Sequence, residues 1–484
     1  MIKDRWFYFP VAGLLVIFVV KFISFLKIIN YFPLNNYVDL SLKLSELYLL
    51  SNYGFHFVVP HWYNGFKLFE IYPPGWYFFS LPIYWVTNNL QITTLISLIL
   101  MLTLGFLASW LIFKKISKKI IFFVFFFMNP IMIDYIFFIG RFPELFAWVV
   151  YLFIFYLVFR YKDKILDKKG FILFIIFTSI IIISHQYVAI LALFLIFLLF
   201  LIKPKKEKIL IAFMLLVVLL VTSFFWVDFL KVMIDSPYAI NPTAYQKDSL
   251  LGLHSIISFN TVVLLAWFGI FYFYKKQFIN FKKEKIFFYP LFILSILIIT
   301  RIITLTPLFN EVPPNAYNLF FLSLSLFMLF KIKFPDNFKK IIILGLLLVP
   351  IFTAILDFEI RPERQLEYTD EQIEIMKLFP KIESKYIFIN KNELYEDSLI
   401  AIATTKYNLY TPLGLYSGQL PIELEKEFET INNALKNKDC ELVVSKLKDL
   451  EVKNIISYKN SCDLLKNCNL NLESEGNYSC LFTI

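Results

Sequence analysis

The sequence predicts a polytopic α-helical membrane protein of about 11 spans that ends in an extracytoplasmic α/β domain, and three observations carry that prediction. Hydrophobic residues make up 59% of the 484, above the roughly half-apolar average of soluble domains. Apolar runs of about 20 residues, each enough to cross a ~30 Å hydrocarbon core as a helix, recur from Trp6 to Leu356. All four cysteines, Cys440, Cys462, Cys468 and Cys480, fall beyond the last of these runs. The sequence shows none of the ~10-residue alternating segments of a membrane β-barrel.

Charge sets the orientation. The formal net charge is +10, but the basic residues form no single patch. They gather in every second connection: Lys3 and Arg5; Lys114 to Lys119; Arg160 to Lys169; Lys203 to Lys208; Lys275 to Lys285; and Lys331 to Lys340. The other connections hold only Lys43, Lys67, Arg141, Lys231 and Lys247. This bias assigns the lysine-rich connections to the cytoplasm. The charge is therefore a topology signal, the partner it implies is the lipid bilayer, and no nucleic acid is expected.

The chain then reads in order. Trp6 to Leu26 is a retained span with a cytoplasmic N-terminus, too long for a signal-peptide core and without an A-x-A site. Residues 28–89 form an outer loop around the polar and aromatic insert Asn36 to Trp76. Trp76 to Val86 is too short and proline-interrupted to cross, and reads as an outer juxtamembrane helix. Spans follow at Leu90–Phe113, Ile120–Phe137, Leu145–Phe159, Phe171–Ile183, Tyr187–Ile202, Ile209–Val227, Ser255–Tyr274, Ile286–Leu305, Tyr317–Phe330 and Ile341–Leu356.

That closes a membrane domain of residues 1–356 and leaves 357–484 outside, where hydropathy falls to that of a globular sequence. In this second domain Tyr386–Ile389, Val452–Ser457 and Tyr478–Thr483 read as strands, and Ile422–Leu435 and Glu441–Leu450 as amphipathic helices. An even number of cysteines outside the cell suits two disulfides, with three pairings open. A zinc site would need tighter cysteine pairing, and the domain has no histidine to complete one.

An ionisable group at the centre of a span costs about 2.5 to 3.5 kcal/mol, so polar residues close to the membrane are informative. They gather on the outer side. The first loop carries Asp39, then Glu46 two turns on along the same helical face, then His56, His61, Trp62 and Tyr72. Gly140-Arg141-Phe142-Pro143-Glu144 forms an outer turn, His185 closes the fifth span, His254 precedes the eighth, and Arg301 lies in the outer half of the ninth. Each also has a structural reading. Asp39 with Lys43 and Lys43 with Glu46 are spaced as helical ion pairs, Arg141 with Glu144 as a turn-closing pair, and the histidines and aromatics as an interfacial belt. Arg301, in an Ile-rich span, needs an anion or carbonyl partner. The sequence has no glycine-rich phosphate loop, nucleophile elbow, His-Glu-x-x-His or Cys-x-x-Cys, which sets aside soluble nucleotide enzymes and metalloproteases.

Asp39 after the first span, Pro60-His61-Trp62, Tyr72-Pro73-Pro74, Gly140-Arg141-Phe142-Pro143-Glu144 and Ser184-His185-Gln186 together resemble the multi-spanning GT-C glycosyltransferases. Within them, the match is to the prokaryotic membrane proteins named "6-pyruvoyl-tetrahydropterin synthase-related", a name that does not carry the soluble pterin enzyme's activity. The resemblance runs from the first to the sixth span and continues as architecture to the outer domain. It implies transfer of a sugar from a polyprenyl-phosphate donor to a glycan, lipid or protein acceptor at the outer face of the plasma membrane, as part of cell-envelope building.

By this resemblance Asp39 is the base or metal ligand. Many members show Asp-x-Asp where this chain has Val38-Asp39-Leu40, so a divalent cation, Mg or Mn, stays open as cofactor. Such a transfer needs a base for the acceptor proton and cations for the departing phosphate. Asp39 fits the base, in a single displacement with inversion. Arg141, His185 and Arg301 fit the phosphate, with Glu144 orienting Arg141. The aromatic faces around Trp62, Tyr72 and Trp76 suit a sugar ring, and His56 and His61 belong to the same substrate side. Two other functions compete. A transporter of lipid-linked glycans would place polar groups at the midplane or on both sides, and a non-catalytic subunit for surface-polymer assembly would leave Asp39 far from Arg301.

Overall fold

The computed structural model describes residues 8–34, 38–70, 72–235, 259–278, 282–300, 302–305, 309, 312–331, 367–415, 420–468 and 470–484. His254, Arg301 and the expected last span, Ile341–Leu356, lie outside the described residues.

Helix α1 (Tyr8–Phe25) runs into a short 3-10 turn. Helix α2 (Val38–Tyr53) is interrupted by polar residues and lies beside the bundle with Leu40 to Leu47 buried. A ribbon of β1 (Val58–Val59) and β2 (Phe66–Lys67) leads to α3 (Gly75–Thr87). Asn88, in the left-handed region, ends α3, and the Asn89 side chain caps α4 (Leu90–Ile112) by accepting from the Ile92 amide at 3.0 Å.

The span expected at Ile120–Phe137 is broken. Helix α5 (Ile116–Phe127) stops before Asn129-Pro130, and α6 (Pro130–Asp134) with the π-helical turn Tyr135–Ile139 leaves at 53°. Proline cannot donate to the helix ladder and its ring clashes with the preceding turn. The Asn129 amide takes up the freed carbonyls of Phe125 and Phe126, at 3.0 and 2.7 Å, while its oxygen caps α6.

Helix α7 (Phe142–Tyr161) is buried along most of its length against α4, α8 (Lys168–Ile182) and α9 (Gln186–Ile202). The span expected at Ile209–Val227 also breaks, between α10 (Lys205–Val221) and α11 (Ser223–Asp235), which meet at 72°. At that corner the Thr222 hydroxyl and the Trp226 indole bond back to the Val218 and Leu219 carbonyls, each at 2.8 Å. Helices α12 (Phe259–Phe278), α13 (Lys282–Ile299) and α14 (Pro314–Leu329) complete the described bundle.

Among the described residues three helices are long and apolar enough to cross a membrane, or up to five if each bent pair is one span. Helices α9 and α14 are apolar but shorter than the ~20 residues a crossing needs. Among the described residues the expected number of about 11 crossings is therefore not shown. Within lipid the hydrophobic effect supplies no force between helices, so packing and buried polar contacts hold them together. The seam of α7 and α14 shows both, with Phe155 and Phe159 against Phe327 and the Tyr151 and Ser323 hydroxyls 2.9 Å apart.

The lysine-rich connections meet at one end of the bundle. Lys162 pairs with Glu284 at 2.7 Å, Lys283 with Asp163 at 3.4 Å, and Lys118 donates to the Phe330 carbonyl. The opposite end carries α2, α3 and the C-terminal domain.

That domain comprises α15 (Asp370–Met376), β3 (Tyr386–Asn390), β4 (Glu393–Leu394), α16 (Leu399–Tyr407), α17 (Ile422–Asn437), α18 (Cys440–Asp449), β5 (Asn454–Tyr458), α19 (Lys459–Lys466), β6 (Asn471–Glu475) and β7 (Ser479–Thr483). The sheet order is β4-β3-β5-β7-β6, with β3 and β5 parallel and the other pairs antiparallel. Lys391 and Asn392, both at positive φ, make the tight β3–β4 turn. Disulfides join Cys440 to Cys468 and Cys462 to Cys480.

The domain is seated on the loop after α1. The Trp62 indole donates to the Thr404 hydroxyl at 2.9 Å, His61 Nε2 lies 2.8 Å from the Asn408 side-chain oxygen, and the Thr411 amide donates to the His61 carbonyl at 2.8 Å. The Phe32 amide donates to the Tyr368 hydroxyl at 2.7 Å, and α16 packs on α2.

Candidate active site

One turn of backbone assembles the site. The π-helical turn ends at Gly140, whose amide and that of Arg141 both donate to the Tyr135 carbonyl, at 3.0 and 2.8 Å. Gly140 has φ +80, and a Cβ there would collide with Leu40 Cβ. Only glycine meets both demands without strain, and the close approach presses the start of α7 against the first turn of α2.

Asp39 in α2 and Arg141, 102 residues apart in sequence, come together there, Nε to Oδ2 at 3.4 Å. Arg141 Nη1 lies 3.6 Å from Glu144 Oε2, and the same oxygen lies 3.9 Å from His185 Nε2. The Trp148 indole donates to Glu144 Oε1 at 3.4 Å. The side chains of Asp39 and Arg141 are 43% and 37% exposed, against 2% for Glu144 and 11% for His185. An accessible carboxylate and guanidinium thus sit on a buried glutamate–histidine base. The turn holding His185 is fixed in its own way, because the Gly75 amide donates to the Ile183 carbonyl at 2.6 Å and Gly75 has no room for a side chain beside Ser184.

Three helix starts converge here. Asp39 is in the first turn of α2, Arg141 precedes α7 and His185 precedes α9. Their helix dipoles favour an anion, and Arg141 adds a planar fork of donors suited to phosphate. Two buried ring nitrogens nearby, His185 Nδ1 and Trp76 Nε1, have no hydrogen-bond partner among the described residues.

A second polar cluster lies one turn further along α2. Lys43 bonds Glu46 at 3.2 Å, the Tyr77 hydroxyl donates to the same carboxylate, and the Lys43 ammonium stands 3.5 Å from the Tyr72 ring centroid. Burial, followed by the Glu46 charge, pushes the Tyr77 phenol well above its ordinary range. The Lys43–Glu46 pair is an expected one. Tyr77 is not, because it falls in an aromatic run in which nothing marks the one hydroxyl that turns inward.

Other expected site residues go elsewhere. His56 Nδ1 lies 3.2 Å from Asp228, whose carboxylate Lys67 also bonds at 3.0 Å. Burial and then the Lys67 charge lower the His56 pKa. His61 and Trp62 are wholly buried in the joint with the C-terminal domain, so Trp62 offers no ring face to a ligand. Trp76 is likewise buried. Tyr72 lines the Lys43 cluster, and Arg301 is outside the described residues.

Among the described residues no three His, Cys, Asp or Glu side chains gather as metal ligands. The two carboxylates that could share a cation, Asp39 and Glu144, both turn to Arg141, whose guanidinium supplies positive charge between them. This donor set does not fit a divalent ion, which needs several oxygens around one point.

No protein-family model and no curated protein matches the chain. Solved structures do. ArnT from Cupriavidus metallidurans, bound to undecaprenyl phosphate, is similar over 99% of this chain and 98% of its own, with a TM-score of 0.54 at 11% identity. The Archaeoglobus fulgidus oligosaccharyltransferase in its apo form has a TM-score of 0.56 at 11% identity, over 95% of this chain and 70% of its own. The archaeal oligosaccharyltransferase AglB from the same organism, in complex with an inhibitory peptide and a dolichol-phosphate, has a TM-score of 0.55 at 9% identity over the same shares. At such identities the likeness is one of fold. The chain therefore has the fold of these structures, and its long apolar helices fit a membrane protein.

Proposed function

We propose that the chain is a glycosyltransferase that moves a sugar from a polyprenyl-phosphate donor to an acceptor hydroxyl, with Asp39 and Arg141 as its reacting pair. The observation that carries this reading is their contact, made on an accessible face by residues from two different helix starts. The neighbours bound to undecaprenyl phosphate and dolichol-phosphate favour the same class of lipid. The narrower kinship with the "6-pyruvoyl-tetrahydropterin synthase-related" membrane proteins rests on the sequence motifs.

In this mechanism the Arg141 fork holds the donor phosphate, helped by the dipoles of the converging helix starts. Asp39 accepts the proton of the acceptor hydroxyl. The acceptor oxygen forms its bond to the anomeric carbon as the bond from that carbon to the phosphate oxygen breaks, the electron pair leaves with the phosphate, and configuration inverts. Glu144 fixes the guanidinium through Nη1. No step needs a divalent cation, since arginine supplies the charge, and chelator treatment is expected to leave transfer unchanged.

We place the Asp39 end and the C-terminal domain outside the cell, on the grounds that lysines crowd the opposite end and that disulfides belong to oxidising compartments. The test is sugar transfer from polyprenyl-phosphate donors by membranes carrying the full chain. Wild-type activity lost in Asp39→Asn is the expected result; equal activity in that variant would remove the base from the mechanism. A non-catalytic assembly subunit would show no transfer in either.

A further inference from the structure

The C-terminal domain holds a polar cavity of about 450 Å³ at the carboxyl ends of β3 and β5. These are the parallel neighbours at the centre of the sheet, and open α/β sheets bind ligands in the crevice beyond such strand ends. The volume falls within the ~300–1,000 Å³ of small-ligand sites.

Its lining is specific in character. Asp397, 8% exposed, forms the floor, with one oxygen accepting from the Leu399 amide at 2.7 Å and the other from the Tyr458 hydroxyl. The Asn390 and Asn460 amides stand side by side, Nδ2 to Oδ1 at 2.9 Å. Tyr395 and Tyr478 expose 41% and 42% of their surface at the rim. The Lys459 ammonium is taken by Glu475, at 2.7 Å, and by the Gly476 carbonyl.

We infer that this cavity is a saccharide-binding site. A fixed carboxylate and two neighbouring amides offer the mixture of donors and acceptors that vicinal hydroxyls require. The tyrosine rings offer flat apolar faces for the C–H side of a pyranose. Charge gives a phosphate or nucleotide little net attraction, since Glu371 and Asp397 in the lining offset Lys391 and Lys459, and Lys459 is already paired. The site is distinct from the Asp39 cluster. Helix α16 lies between them, with Asp397 bonding its first turn and Thr404 and Asn408, near its far end, meeting Trp62 and His61 of the loop. That the bound saccharide is the acceptor glycan rests on the transferase reading, whereas saccharide binding itself does not.

Saturation-transfer NMR on the full chain in lipid nanodiscs tests the assignment, with the methyl glycosides of glucose, galactose, mannose and N-acetylglucosamine as probes. At least one probe is expected to bind, Tyr395→Ala and Asn460→Ala to weaken it roughly tenfold, and Asp39→Asn to leave it unchanged. Absence of binding by all four probes, or binding that neither rim substitution weakens, would overturn the inference. Binding with these properties in a protein that shows no sugar transfer would uphold it and overturn the transferase reading.

Discussion

Arg141 is held by two carboxylates of unequal freedom, the open Asp39 and the buried Glu144. Its substitution by lysine keeps the charge and loses the planar fork, so Arg141→Lys is expected to lower kcat/KM for a polyprenyl-phosphate sugar by roughly tenfold or more. Asp39→Asn removes a general base, a change of about 10²–10⁴-fold in kcat, and being on an accessible face it should leave detergent stability unaltered. Asp397 behaves differently. Burial raises its pKa above the ordinary carboxylate value, against the pull of its Tyr458 and Leu399 hydrogen bonds. A folded pKa above the unfolded one means that the folded state binds the proton more tightly. Stability therefore falls as pH rises through that interval, and ionised Asp397 is a net cost at neutral pH. Asp397→Asn is expected to stabilise the protein at pH 7 by about 1 kcal/mol, read as a raised unfolding midpoint that converges with wild type at acid pH. An unchanged or lowered midpoint at pH 7 would contradict this.

The junctions between helices, rather than the helices themselves, create the site. Gly140 is the clearest case, since its positive φ and its contact with Leu40 both exclude a side chain. Gly140→Ala is expected to cost about 1–3 kcal/mol and to lower transfer by separating Arg141 from Asp39. Trp62→Ala at the domain joint removes a buried indole and its bond to Thr404. A loss of roughly 3–5 kcal/mol is expected, seen as earlier proteolytic release of the C-terminal domain. Much of this was legible beforehand: hydropathy found α1, α4 and α7, and the Gly-Arg-Phe-Pro-Glu turn and His185 could be picked out as polar residues at span ends. The breaks at Asn129-Pro130 and Thr222 were not, because apolar runs look continuous to a hydropathy window even where the backbone turns. Strand β6, Asn471–Glu475, is a largely exposed edge with no apolar alternation to reveal it. His61 and Trp62 read as ligand contacts because a sequence does not show that a later domain will cover them.

The molecule as a whole is a membrane bundle with lysine pairs at one end and a disulfide-bonded domain over a polar cluster at the other. If the domain is outside, a membrane-impermeant reductant followed by an impermeant maleimide should label the cysteines in intact cells, and labelling only after lysis would reverse the topology. Composition made the membrane class and the two-part organisation readable, while the pairing of distant helix starts needed the fold. The decisive experiment is binding of a polyprenyl phosphate to the full chain in nanodiscs by native mass spectrometry. The account predicts that wild type and Asp39→Asn bind it alike and that Arg141→Ala binds it at least about tenfold more weakly. Equal binding by wild type and Arg141→Ala would show that the lipid phosphate is held elsewhere.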